Sequence, residues 1–309
     1  MSFLRWVCLL TFWGLLSGQV EAKIKLVTST TDIAWAAGIV GGDKVEVTPL
    51  LTGTEDPHFV DAIPKFIRTA ASADLVCFVG LGLEIGWMPK VLEKSGKSQV
   101  QPGGSGYCEL GRALSVIDKK SGPVDRSMGD VHPEGNPHFW LGPLALAEAS
   151  AAIRDALVRV DPANRAAWEQ GYSKLKTGLE ALHKTNQARL AASPLVTQKR
   201  LITQYHAEFA YFFRDYGLQS FEPIEEKPGV APSAGRIAKI ATSAKTAGVA
   251  VALASEANPK DVLEKFRELS GVPLVIVPTS VRPDAVPADY PALQSLIIDR
   301  LLAVDGKGR

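Results

Sequence analysis

Apolar and polar positions follow two periods along this chain. Residues 24–29 and 74–79 are short runs rich in Ile, Leu, Val and Phe, as in strands buried on both faces. Residues 44–49 alternate charged and apolar positions, the period-two pattern of a half-covered strand. Between the strands, Thr31 and Asp32 stand ready to cap a helix running through Ala34-Trp35-Ala36-Ala37, residues 50–57 read as a loop, and Pro64 opens a second helix over about 64–73. The pattern recurs later, with strands at 201–204, 248–254 and 273–278 and helices over about 207–216, 258–269 and 290–302. Such alternation predicts parallel strands covered by helices. Residues 96–137, rich in Gly, Pro, Ser and charge, read as mostly loop with one short strand near 113–117.

One stretch differs. From 161 to about 192, Gly171 and Gly178 are the only helix-weakening residues inside the run. Asp161 suits an N-cap and Pro162 a first helical position. Trp168, Tyr172, Leu175, Leu179 and Leu182 recur at spacings of four and three, one continuous apolar stripe. Thirty helical residues span about 45 Å, enough to run along two lobes. The predicted fold is therefore α/β: two lobes, each a small, mostly parallel sheet flanked by helices, joined by one long rigid helix. The expected boundaries are 23–160, 161–192 and 193–309, and a stiff connection implies little lobe movement on binding. The alternative is an ordinary long helix within one domain.

The first 22 residues change the setting. Arg5 gives a weakly positive start, an apolar run of about 11 residues follows, and Val20-Glu21-Ala22 offers small residues where a signal peptidase reads. That run is short of the roughly 20 residues a membrane span needs. The expectation is export to the periplasm with cleavage after Ala22; an uncleaved anchor is the alternative. A net charge of +1 gives no reason to expect a nucleic-acid partner. Cys77 and Cys108 remain after the leader and could close a disulfide in an oxidising compartment. Cys77 reads equally well as a buried apolar thiol, and no C-x-x-C spacing suggests a cysteine metal site.

Candidate chemistry rests on histidine. The chain has five, and three sit beside a turn or helix start, in Asp56-Pro57-His58, Asn136-Pro137-His138 and Tyr205-His206-Ala207. Proline fixes its own φ and restricts its predecessor, so an Asx-Pro pair aims the next side chain rigidly. Imidazole is the commonest protein ligand for first-row transition metals. Each of the three falls at the end of an element, where α/β folds place ligands. Glu55 and Asp56 could hold the loop or accept from an imidazole N–H, and Phe139 and Trp140 could wall the site. His183 belongs to the long helix and reads as exposed or packing. His132, with Asp130 and Glu134, reads as a solvated loop. Zinc on three histidines can be hydrolytic, but there is no H-E-x-x-H helix or nucleophile elbow, and only Glu55 and Glu208 stand near a histidine as bases. Catalysis is not expected.

Across essentially its whole length beyond the leader, the chain resembles the zinc- or manganese-binding solute-binding proteins of bacterial ABC transporters. The resemblance is carried by Lys25-Leu26-Val27-Thr28-Ser29-Thr30, Asp56-Pro57-His58, Asn136-Pro137-His138-Phe139-Trp140, the long helix and Tyr205-His206-Ala207-Glu208-Phe209-Ala210-Tyr211-Phe212. It implies a metal site between two lobes, with His58, His138 and His206 as ligands. Many members place an aspartate after the last strand; here Pro278-Thr279-Ser280-Val281 puts Thr279 there. The fourth ligand is then Glu256 or water, with Asp284 behind both. It also implies that His132 is the remnant of a histidine-rich metal-collecting loop. Three imidazoles suit zinc, and losing a hard oxygen ligand disfavours manganese, which with ferrous iron is the alternative. The implied role is extracytoplasmic capture of the metal by a monomer and delivery to an ABC-transporter permease; the rival is a metal-stabilised surface adhesin.

Overall fold

A computed structural model of the chain describes residues 22–120 and 131–305. The expected leader, apart from Ala22, lies outside the described residues, as does Asp130. Four parallel strands form the first sheet: β1 (Ile24–Thr28), β2 (Val45–Pro49), β3 (Leu75–Phe78) and β4 (Tyr107–Glu109), in the order β2-β1-β3-β4. The second repeats the plan with β5 (Leu201–Gln204), β6 (Gln219–Ser220), β7 (Val251–Ser255) and β8 (Leu274–Val277), in the order β6-β5-β7-β8. In both sheets the chain steps to one side of its first strand and then to the other. That reversal opens a crevice beyond the carboxyl ends of the central strands.

The first sheet is flanked by α1 (Thr31–Gly41), α2 (Pro64–Ser72) and α3 (Met88–Ser95), followed by α4 (Pro143–Ala149) and α5 (Ala151–Val160). The long helix α6 (Arg165–Leu190) leads into α7 (Pro194–Thr197), and α8 (Ala210–Tyr216), α9 (Ala234–Thr246), α10 (Lys260–Ser270) and α11 (Tyr290–Asp305) complete the second half. No helix among the described residues is long and apolar enough to cross a membrane.

The long helix starts later than its sequence pattern suggests. Asp161 caps a 3-10 turn, Pro162–Asn164, and the α-helix proper begins at Arg165. Its 26 residues span about 39 Å. Trp168, Leu175 and Leu179 are buried along the predicted stripe, with Tyr172 and Leu182 packed at its edge. Gly171 has a steric reason: a Cβ there would lie 2.0 Å from the Val40 carbonyl oxygen, so its absence lets α1 cross α6 closely.

The lobes share more than this helix. One apolar cluster runs from Leu26 and Leu75 through α6 to Leu253 and Ile297, while the outer face of each sheet has its own smaller core. Direct bonds cross between the halves. Thr31 Oγ1 donates to the Val281 carbonyl at 2.6 Å, Val281 N–H donates to Asp32 at 3.0 Å, and Tyr290 OH donates to the Trp140 carbonyl at 2.6 Å. Gly53, at φ +90°, lies so close to Val281 that a Cβ would be 2.2 Å from its carbonyl oxygen.

Three local expectations need correction. The helix cap at α1 is Thr30, whose Oγ1 accepts from Ile33 N–H; Asp32 is buried in the first turn and serves as the tether to Val281. The fourth strand is at Tyr107–Glu109, not near 113–117. In the latter stretch Ser115 N–H donates to Glu148 and Ile117 N–H to the Tyr211 hydroxyl, so side chains satisfy the backbone where a ladder was expected. Over 207–216 a 3-10 turn, Ala207–Phe209, precedes α8. Cys77 and Cys108 are register partners on β3 and β4, and both are buried free thiols.

Candidate metal centre

The crevice between the lobes is a cleft of about 310 Å³ lined by residues of both. His58 enters from the loop after β2, His138 from the turn ahead of α4, and His206 from the carboxyl end of β5. One ligand nitrogen from each of the three lies within 4.8 Å of the others. Their ring centroids are 5.0–5.6 Å apart.

Each ring is turned by its Nδ1. In Asp56-Pro57-His58 one carboxylate oxygen accepts from His58 N–H at 3.0 Å and lies 2.8 Å from Nδ1. Asn136-Pro137-His138 repeats the device with an amide oxygen, 3.0 Å from both His138 N–H and Nδ1. These are Asx turns with the imidazole added to the same acceptor. His206 instead places Nδ1 2.6 Å from the buried Glu225 carboxylate, nineteen residues away. An acceptor at Nδ1 keeps that proton in place and leaves Nε2 as a lone pair for a metal.

The electrostatics favour a neutral imidazole at His138. Burial, then the charges of His206, His58 and His132, hold His138 well below its usual range. Burial raises Asp56, but its hydrogen bond with His58 and that ring's charge outweigh this and keep the carboxyl below its usual value. Glu208 lines the same cleft, with Oε1 unpartnered, and is pushed up to about 8 by burial and then by the charge of Asp56. A carboxyl in that state ionises readily beside a bound cation.

The remaining candidates divide between the cleft wall and sites outside it. Glu256 follows β7, but its carboxylate pairs with Arg282 at 2.7 Å and does not line the cleft; the structure does not bring it to the three imidazoles. Asp284 is exposed in a turn. Thr279 and Ser280 do line the cleft, and the Thr279 carbonyl accepts from Trp140 Nε1 at 2.8 Å. Trp140 forms a wall, its ring 5.4 Å from that of His138, whereas Phe139 points into the core. Glu55 lines the cleft, with its carboxylate accepting from Thr52 and Thr54. His183 stacks on Tyr216, away from the site.

The sequence reading missed two residues. Glu225 carries no local mark, being aligned with His206 only by the fold. His132 is half-buried against the cluster, not a solvated loop residue: its Nε2 lies 3.2 Å from Nε2 of His58. Burial, then repulsion from His58 and His206, push it down to about 3. The hint was available, since a fifth of the chain's histidine lies six residues before His138.

Comparison with known proteins adds to this geometry. The model of the family described as zinc-uptake complex component A, periplasmic (ZnuA), matches residues 26–304. The zinc-binding lipoprotein AdcA of Streptococcus pneumoniae is 28% identical over 223 residues, 72% of this chain; the chain spans 43% of that relative's length. The iron ABC transporter substrate-binding lipoprotein MtsA of Streptococcus pyogenes is 24% identical over 288 residues, 90% of this chain and 88% of its own. The manganese ABC transporter substrate-binding lipoprotein PsaA of Streptococcus anginosus is 26% identical over 207 residues, 66% of this chain and 62% of its own. Among solved structures, ZnuA superposes with a TM-score of 0.73 at 21% identity, covering 92% of this chain and 99% of that one. The periplasmic zinc-binding protein TroA of Treponema pallidum gives 0.73 at 19%, with the same coverage. These likenesses establish a shared fold, and the family match runs nearly from end to end: the chain belongs to the periplasmic zinc-uptake component A family.

Proposed function

We propose that this protein captures a divalent transition metal outside the cytoplasm, zinc first, and hands it to the permease of an ABC transporter. The observation that carries the proposal is the convergence of three imidazoles, each with Nδ1 held by an oxygen acceptor and with one ligand nitrogen of each within 4.8 Å of the others. Neutral nitrogen donors at this spacing suit zinc, which takes imidazole at about 2.0–2.1 Å in tetrahedral geometry. Glu256 is disfavoured as the fourth ligand, because ligating would break its ion pair with Arg282. Catalysis is not part of the role: the site's task is selective holding and release, which a monomer performs when a docked permease disturbs the lobe interface. Manganese or ferrous iron is the second reading, favoured by the names of PsaA and MtsA.

The test is competitive titration of the apo protein with zinc, manganese and iron(II), with H206A alongside. We expect one equivalent of zinc, weakened at least about a hundredfold in the variant, and affinity that falls toward acid pH as imidazoles protonate. Binding indifferent to His206 would sink the assignment.

A further inference from the structure

We infer that Tyr211 and Tyr290 are positioning residues for the metal site, bracketing His138 and fixing where its ring stands; this rests on the three-histidine site proposed above. The carbonyl two residues before His138, that of Asn136, accepts from the Tyr211 hydroxyl at 3.0 Å. The carbonyl two residues after it, that of Trp140, accepts from the Tyr290 hydroxyl at 2.6 Å. Both tyrosines are fully buried, and neither lines the cleft. His138 belongs to the first half of the chain, yet side chains of the second half hold the backbone on either side of it.

The direction of each bond is fixed by its neighbours. The Tyr290 oxygen accepts from Gln294 Nε2 at 3.1 Å, which leaves its one proton for Trp140. The same Gln294 amide donates to the Leu141 carbonyl at 2.9 Å, and its Oε1 accepts from the Tyr216 hydroxyl at 3.1 Å. On the other side, the Tyr211 oxygen accepts from Ile117 N–H at 3.3 Å and its proton goes to Asn136. Burial pushes the Tyr211 hydroxyl up to about 12 and holds that of Tyr290 well above its usual value, so both stay donors.

The two tyrosines stand on different supports. Tyr211 is carried by α8, which reaches the turn because Gly142 has no side chain: a Cβ there would lie 2.9 Å from the Tyr211 carbonyl oxygen and 2.6 Å from Asp215 Oδ2. Tyr290 opens α11, and its ring stacks on Trp35 of α1 with centroids 5.2 Å apart. Between these supports runs the 3-10 turn Phe139–Leu141, whose Trp140 also donates Nε1 to the Thr279 carbonyl at 2.8 Å. The Asn136 side chain turns the His138 ring within its own tripeptide. It does not set where that tripeptide sits in the cleft; the two hydroxyls do. Losing either one leaves a buried carbonyl without its donor and frees one end of the turn. The ring carried there must meet that of His206, 5.0 Å away.

The experiment compares the full chain with Y211F, Y290F, Y216F and H206A, reading zinc affinity by chelator competition and the ligand-field absorption of bound Co²⁺. Y211F and Y290F should each weaken zinc about three- to tenfold, less than the roughly 10–100-fold of partners that touch a ligand directly. Both should also shift the Co²⁺ bands. Y216F removes a buried hydroxyl from the same core without touching the His138 turn, so it should lower apo stability and leave the bands in place. If apo melting shows Y290F misfolded, Q294M replaces it, removing the donor to Leu141 and sparing both tyrosines; it should shift the bands the same way. Wild-type affinity and bands in these variants, with H206A still weakened, would overturn the bracket and leave the three-histidine site standing. Bands that move as far in Y216F would also overturn it, by making the effect a general loosening of the core. An H206A protein that binds like wild type would instead remove the underlying site.

Discussion

His58 and His138 are aimed by the residue two positions before them, His206 by one nineteen positions later. The first arrangement is complete within a tripeptide: an Asx side chain, a proline that fixes the backbone, and a ring folded onto the Asx oxygen. The second exists only after β5 has formed and the chain beyond β6 has returned past it, since Glu225 N–H donates to the Tyr205 carbonyl at 3.0 Å. Local aim survives independently of the rest of the fold, whereas remote aim depends on it. The site joins two imidazoles of the first kind to one of the second across a cleft, so its geometry reports on both the motifs and the register of the lobes.

Asn136 breaks the comparison most severely, because it belongs to both sides. Its oxygen orients His138, while its Nδ2 donates to the Ala207 carbonyl, next to His206, at 2.7 Å. Asn136→Ala leaves buried donors and an acceptor unpaired. We expect about 2–4 kcal/mol lost from apo stability by denaturant unfolding, and zinc bound about 10–100-fold more weakly. Unchanged unfolding would show that the amide is not a tie between the lobes.

A sharper contrast is Glu225→Ala against Asp56→Ala. Glu225 is buried, so no water replaces it, and its second oxygen holds Gly229 N–H at 2.9 Å. Its loss should cost about 10–100-fold in zinc affinity. Asp56 is partly exposed and water can stand in for it; about three- to tenfold is expected. If Asp56→Ala weakens zinc more, the local motif is the stronger of the two devices.

This contrast also explains what the sequence made legible. The two Asx-Pro-His tripeptides were readable because each is a full physical unit in consecutive residues, and His206 because it follows a strand. Strand and helix alternation carried the two-lobe fold, since both periods are local. Glu225, His132 and Asp32 were not readable as what they are: each works on a partner brought close only by tertiary structure. Glu256 shows the complementary limit of a sequence reading. Its place after β7 is right for a ligand, but Arg282, 26 positions on, takes its carboxylate. The stretch near 113–117 reads as a strand, but Glu148 and Tyr211 take its backbone N–H groups, and composition cannot reveal that.

The register of the lobes, which brings the two kinds of aim to one point, can be probed by pH. Asp32, reaching from α1 to Val281 N–H, is raised to about 7, by burial outweighing its hydrogen bonds. Between about pH 4 and 7 the unfolded chain ionises this carboxyl while the folded one keeps its proton, so each rise in pH disfavours the fold. Asp32→Asn keeps an acceptor for Val281 and removes the titration. The variant's stability relative to wild type should grow by roughly 1–2 kcal/mol from pH 5 to 7 and then level off. A difference flat across that range would mean Asp32 is ionised in the folded protein.

Pro57 gives the smallest effect and isolates local aim from every other contribution. Pro57 holds no ring and bonds no histidine; its carbonyl accepts from Trp87 Nε1 at 2.9 Å, a bond alanine would retain. What alanine would change is the number of conformations open to the tripeptide when Asp56 and His58 are not locked together. A proline in a compatible position contributes about 0.4–1 kcal/mol through that entropy. If part of it is felt at the site, Pro57→Ala should weaken zinc by about two- to fivefold with the bound geometry unchanged. The Co²⁺ spectrum should therefore match wild type while the affinity drops. A spectrum that changes would mean proline sets where the imidazole sits, and equal affinity would mean the Asp56 acceptor alone suffices to aim it.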